Sequence, residues 1–233
     1  MFCSSTPTVF LNAARGAMVV AGVGVSSLAL AQEGALSQLY AARPPAGSSY
    51  VRVVNPEAKV LAVRVGKGPV QNLGGEAPAG SYAIVPGGQK FSVQVGAVEV
   101  AELQVRPDSF QTLVLGRAGK AYAFAPVDDT ADTEDALKAE LRFYNLAAAC
   151  PEAQLVLAPS GTSVFRAVTA GGSAARSVNP VRAAVAGQCG AQATAAQQLP
   201  AMQPGDHLSL FLLGSGKTLR LVIQTNSTDA FKR

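Results

Sequence analysis

A five-residue pattern, Val51-Arg52-Val53-Val54-Asn55, returns as Leu141-Arg142-Phe143-Tyr144-Asn145, an offset of 90 positions (141 − 51). Each copy is an apolar run with Arg second and Asn fifth. A β-strand sends successive side chains to opposite faces. Val51 and Val53, or Leu141 and Phe143, can therefore enter a core while Arg52 or Arg142 points away from it. The closing Asn can bond backbone groups of a turn. A chain that carries such a strand twice has to bury the same kind of surface twice, which restricts it to a repeated β architecture.

The segments downstream of the two copies keep the same order. In the first half, strand-like runs at Ser49–Asn55, Val60–Val65, Ser81–Val85, Phe91–Val95, Val98–Val105, Phe110–Leu115 and Lys120–Phe124 are separated by Gly- and Pro-rich turns. In the second, Gln154–Leu157 corresponds to Val60–Val65, and Val164–Val168 to Tyr82–Val85. The run through Val185 corresponds to Phe91–Val95, and Lys217–Gln224 to Lys120–Phe124. Asp206–Gly214 aligns without a gap on Asp108–Gly116, which sets His207 against Ser109. The expected fold class is all-β: two tandem antiparallel β-sandwich domains over 48–127 and 141–225. A lead-in over 32–47 precedes them, and a frayed tail over 226–233 ends the chain. The abundance of Gly and Pro and the absence of Trp fit a β-rich chain better than a helical bundle.

Charge marks the joint. Residues 128–140 hold six acidic side chains against Lys138 alone, between two mildly basic blocks. Thr and Asp there can cap a helix, and Ala, Leu, Lys and Glu propagate one, so the spacing predicts a short acidic helical linker. The run lacks the Gly and the spaced ligands of a calcium loop, and no metal site or cofactor is expected. The basic excess, net +4, is diffuse and forms no nucleic-acid module.

Arg15 is followed by an apolar stretch ending in Ala29-Leu30-Ala31. That is the layout of a secretory signal peptide over 1–31, cleaved after Ala31; the stretch is short for a spanning helix, which needs roughly 20 apolar residues. The alternative is an uncleaved anchor of the same topology. Export leaves Cys150 and Cys189, an even pair for an oxidising compartment, so a disulfide is expected, with two buried free thiols as the alternative.

A catalytic set is hard to find. His207 is the one histidine, beside Asp206, and no Gly-x-Ser-x-Gly elbow accompanies it. Asp206 and Glu152 form no arrangement that supports paired-carboxylate chemistry. Binding is the natural alternative. Tyr50 and Arg52 share one strand face, and Arg142 and Tyr144 the equivalent one, so these four form the candidate binding surface. The competing reading is that the Arg stems merely cover the sandwich exterior.

The ordered motifs resemble the AlgF family of periplasmic alginate biosynthesis proteins. The resemblance rests on Leu39-Tyr40 leading into Pro45–Asn55, on Leu137–Leu146 after the acidic segment, and on Ser177–Arg182. It runs from about Leu39 to about Ile223. It implies a periplasmic accessory protein for O-acetylation of an exopolysaccharide, alginate or a cellulose-type polymer. Such a protein works with periplasmic and membrane acetylation proteins, and the polysaccharide itself is a further candidate partner. No catalytic residue carries over, and the Cys150/Cys189 pair is a departure from the family pattern. The competing functions are a stand-alone carbohydrate-binding protein and an acetyltransferase or esterase using His207.

Overall fold

In the computed structural model, which describes residues 43–130 and 135–231, four sheets are formed and no α-helix is present among the described residues. The first half contributes β1 (Ser48–Val54), β2 (Leu61–Val65), β3 (Gln71–Leu73), β4 (Ala83–Pro86), β5 (Lys90–Val95), β6 (Val98–Gln104), β7 (Phe110–Ala118) and β8 (Ala121–Asp128). They make the sheets β4-β1-β7-β8 and β3-β2-β5-β6. The second half contributes β9 (Ala139–Asn145), β10 (Glu152–Ala158), β11 (Ser163–Thr169), β12 (Ser173–Val178) and β13 (Ala184–Cys189). The short β14 (Gln192–Ala193) and β15 (Gln197–Gln198) come next, then β16 (His207–Leu213) and β17 (Arg220–Thr225). They make β12-β9-β16-β17 and β11-β10-β13-β14, with β15 also on β13. The two sheet orders are the same in both halves, which is the duplication expressed as topology.

Each half closes two sheets over an apolar core. Val51, Val53, Val63, Phe91, Val93 and Leu113 fill the first; Leu141, Phe143, Leu155, Phe165, Leu210 and Leu212 fill the second. β5 shows the cause: in Lys90-Phe91-Ser92-Val93-Gln94-Val95 the apolar residues are buried and those between them are not. The recurring Asn has one role in both halves. Asn55 Nδ2 donates to the carbonyls of Lys59 and Leu73, at 2.8 Å each. Asn145 Nδ2 donates to those of Cys150 and Val168, at 2.9 Å each. Each ties the end of its strand to a turn and to the neighbouring sheet. Around Asn55 the packing needs Gly74: at φ 135°, an added Cβ would lie 2.6 Å from the Lys59 carbonyl oxygen. Cys150 and Cys189 are disulfide-bonded with Cα atoms 5.7 Å apart, joining the segment before β10 to the end of β13.

The structure corrects the sequence reading in several places. Each half holds one parallel pair, β1 with β7 and β9 with β16, because the chain between them crosses through the other sheet. β12 takes the place of β4 as the antiparallel neighbour of the first strand, so Val164–Val168 in β11 is equivalent to β3, not to Tyr82–Val85. β3 has only three residues and too little pattern to be aligned.

The gapless alignment of Asp206–Gly214 on Asp108–Gly116 is also out by one. Arg52 pairs with Thr112 and Arg142 with Ser209, so His207, opposite Glu140, is the counterpart of Phe110, opposite Tyr50. A one-residue slip turns every side chain to the wrong face; only the pairing register detects it.

The helical linker over 128–140 does not form among the described residues. β8 runs through Asp128, β9 already includes Ala139 and Glu140, and Asp135–Lys138 is a turn closed by Lys138 N–H to the Asp135 carbonyl. Strand pairing at both ends outweighs helix propensity in so short a segment. The tail is not frayed where it is described: Tyr82 N–H donates to the Ser227 carbonyl and Asp229 N–H to the Tyr82 carbonyl, at 2.8 Å each. The expected signal peptide lies outside the described residues. No helix of the described residues is long and apolar enough to cross a membrane.

Candidate functional site

The sheets β4-β1-β7-β8 and β12-β9-β16-β17 are covered on both faces. Their inner faces line the two cores, and their outer faces meet each other. Val54, Val114 and Val127 of the first half pack against Tyr144, Phe211, Leu213 and Val222 of the second. Burying each large apolar side chain stabilises the junction by roughly 1.5–3 kcal/mol. Polar ties flank this apolar patch. Arg220 Nη1 donates to the Gly75 carbonyl at 2.8 Å, and the Gln224 amide pairs with both backbone groups of Ala79.

Arg52 lies inside this junction, 1% exposed. Its Nε donates to Thr112 Oγ1, its Nη1 to Asn226 Oδ1, and its Nη2 to Tyr144 OH and Ser209 Oγ, all at 2.8 Å. The guanidinium also lies over the Tyr82 ring, 4.5 Å from its centroid. Asp129 closes the network. It accepts from Tyr82 OH at 2.8 Å, from Tyr144 OH at 2.6 Å, and from the Thr112 hydroxyl. Thr112 and Tyr144 thus relay between the guanidinium and the carboxylate, and the network spans both halves. Burial opposes the charge on Arg52, yet Tyr144, Tyr82 and Asp129 outweigh it and hold the guanidinium above its ordinary value. Burial pushes the Tyr82 hydroxyl up as well, and pushes that of Tyr144 up to about 12.

At the rim of the junction the same elements enclose a pocket of about 310 Å³. Tyr82 and Phe110 come from the first half, Glu140, Arg142, Asp206 and His207 from the second, and Asp129 and Asn226 join the pocket to the network. Phe110 stacks on Tyr50 at 4.4 Å and meets Tyr82 edge-on at 5.5 Å, which makes one wall aromatic. Glu140 Oε1 accepts from Arg142 Nε at 3.2 Å and lies 3.8 Å from His207 Nδ1. Arg142 Nη2 also donates to the Asp129 carbonyl at 2.8 Å. Burial works against the charge on Glu140, but His207 and Arg142 outweigh it and lower its carboxyl below the ordinary range. Asp206 Oδ2 accepts from the Gln203 N–H at 2.6 Å, which fixes the turn before β16.

The four residues of the expected surface are thereby separated. Arg52 and Tyr144 are interior, so they do not form an exposed face. Arg142, 7% exposed, lines the pocket, and half-buried Tyr50 supports its aromatic wall. Alternation correctly points the two arginines away from their own cores; the other half of the molecule covers them. Glu140, Asp129, Tyr82 and Phe110 were not singled out from sequence. One signal was available: in Leu208-Ser209-Leu210-Phe211-Leu212-Leu213 both faces of the strand are apolar, the pattern of a strand buried on both sides. Among the described residues no cluster of His, Cys, Asp and Glu is arranged to hold a metal ion.

The fold and the site define a duplicated β-sandwich protein with a polar pocket built jointly by its two halves. A family model described as "Alginate O-acetyl transferase AlgF" matches residues 20–206, and the chain belongs to the AlgF family. It is 28% identical over 214 residues to the alginate biosynthesis protein AlgF of Pseudomonas putida, across 91% of this chain and 94% of that protein. To the protein of the same name from Pseudomonas aeruginosa it is 30% identical over 200 residues, across 84% of this chain and 86% of that one. A solved structure of the N-terminal domain of AlgF from P. aeruginosa is 25% identical to it, with a TM-score of 0.28, covering 36% of this chain and 98% of that one.

Proposed function

We propose that this chain is a periplasmic accessory protein for the O-acetylation of an exopolysaccharide, with alginate the first polymer to test and a cellulose-type polymer the alternative. The family match over residues 20–206, with relatives named for alginate biosynthesis along nearly their whole length, carries this reading. The apolar segment ending at Ala31 supports export to the periplasm. The protein acts by docking to periplasmic and membrane acetylation proteins. Deleting the gene and measuring polymer acetyl content by NMR tests it: a large loss of acetyl groups is expected, and a normal content in the deletion strain overturns it.

A second reading has one observation behind it. The family description names an O-acetyl transferase, and the pocket places His207 beside the Glu140 carboxylate, as a general base with an orienting acid would be. His207→Ala eliminates acetylation if His207 is the catalyst, and leaves measurable acetyl content if it is not.

A further inference from the structure

We propose that the pocket between the two halves is a saccharide subsite that receives the hydroxyl edge of one pyranose unit and discriminates against a unit acetylated there. The inference deepens the accessory reading above and rests on it for the choice of polymer.

The lining is rich in acceptors. The carboxylates of Glu140 and Asp206 face the same space, with the Arg142 guanidinium already engaged by Glu140 and by the Asp129 carbonyl. An ionised carboxylate only accepts hydrogen bonds. The complementary ligand therefore carries several O–H donors. A carboxylate ligand entering first would meet Glu140 and Asp206 with Arg142 largely neutralised, so the acid group of a uronate unit points out of the pocket. The walls suit a sugar ring. Phe110 and Tyr82 offer apolar surface to its C–H face, and both rings are pinned, Phe110 by stacking on Tyr50 and Tyr82 by its bond to Asp129. About 310 Å³ is at the small end of ligand pockets and suits a single ring rather than a long segment.

Acetylation of a hydroxyl removes the donor and adds an acetyl group in its place. Glu140 or Asp206 then loses a partner, and a buried acceptor left unpaired weakens binding. The pocket thus binds unmodified units and releases them once they are acetylated, the behaviour required of a protein that presents polymer to acetylation machinery.

The test is isothermal titration of the mature chain with defined oligouronates, before and after chemical acetylation, and with cellotetraose as the neutral probe. Unacetylated oligomer is expected to bind, and the acetylated form to bind about tenfold more weakly, one charge-assisted hydrogen bond's worth of affinity. Glu140→Gln and His207→Ala are each expected to weaken binding several-fold. His207 is half-exposed, so its loss leaves the thermal midpoint in place and separates lost binding from lost folding. Binding of cellotetraose alone keeps the hydroxyl-edge subsite and names a neutral polymer as its ligand. Equal affinity for acetylated and bare oligomer, unchanged affinity in both variants, or no binding of any oligomer overturns the inference. A deletion strain that loses acetylation while the chain binds no sugar sinks the subsite and keeps the accessory reading; the reverse pair of results does the opposite.

Discussion

Arg52 and Arg142 hold the same place in the repeat but not in the molecule. Arg52 lies in the middle of the junction, hydrogen-bonded to side chains of both halves and surrounded by aromatic rings. Arg142 lies at the rim, bonded to Glu140 and the Asp129 carbonyl, with one side on the pocket. Duplication supplied two equivalent strands. The packing of one half on the other is not symmetric about them, so one arginine became structural and the other was left at a cavity. Position within a repeat therefore predicts where a side chain points relative to its own core, and does not predict what covers it.

The sharpest way to break this comparison is to truncate both arginines. Arg52→Ala strands Tyr144, Ser209, Asn226 and Asp129 in a dry junction, and is expected to cost about 3–5 kcal/mol. Arg142→Ala, at the rim, is expected to cost about 1–2 kcal/mol, since water can reach the groups it leaves. Chemical denaturation of both variants checks the order, and equal losses would mean that the junction does not distinguish the two sites.

The disulfide is a second asymmetry, since only the second half contains one. Replacing Cys150 and Cys189 by Ser is expected to destabilise by up to about 4 kcal/mol, the chain-entropy value for a loop of this length. Native-state hydrogen exchange should show the loss in β10 and β13. An equal loss of protection in β2 and β5 would show that the halves unfold only together.

The third prediction concerns pH and sharpens the contrast between junction and rim. The Tyr144 hydroxyl is raised from an ordinary 10.0 to about 12 in the folded chain. A raised value means the folded state holds the proton more tightly, so the stability it represents is complete below pH 10 and declines as pH rises toward 12. The loss across that window is on the order of 2–3 kcal/mol. Unfolding curves between pH 9 and pH 12 measure it. Tyr144→Phe should flatten the curve, while a rim variant such as His207→Ala should leave it unchanged.

The strands were legible because burial on one face imposes a period of two, and β5 shows it residue by residue. The duplication was legible because Arg and Asn recur among apolar residues at one offset. The register of β16 was not, because its apolar residues occupy both faces and two alignments one residue apart look alike. The helix expected in the acidic segment failed for a related reason: local propensity over so few residues is weaker than the pairing of β8 and β9 with their neighbours.

The site was less legible than the fold. Tyr50 and Arg142 were singled out and do border the pocket, but for exposure they do not have. Glu140 reads as one more acid in a charged run, and Phe110 as one more core aromatic; only β1 beside β7 and β9 beside β16 bring them together.

The sequence by itself determined the β architecture, its duplication and family membership, because these follow from side-chain alternation and the order of motifs along the chain. Tertiary structure alone decided that two outer faces would be buried against each other, that Arg52 would be an interior cation and Arg142 a pocket wall. Those outcomes depend on how one half is set against the other, and that geometry is the sum of many contacts between residues far apart in the chain.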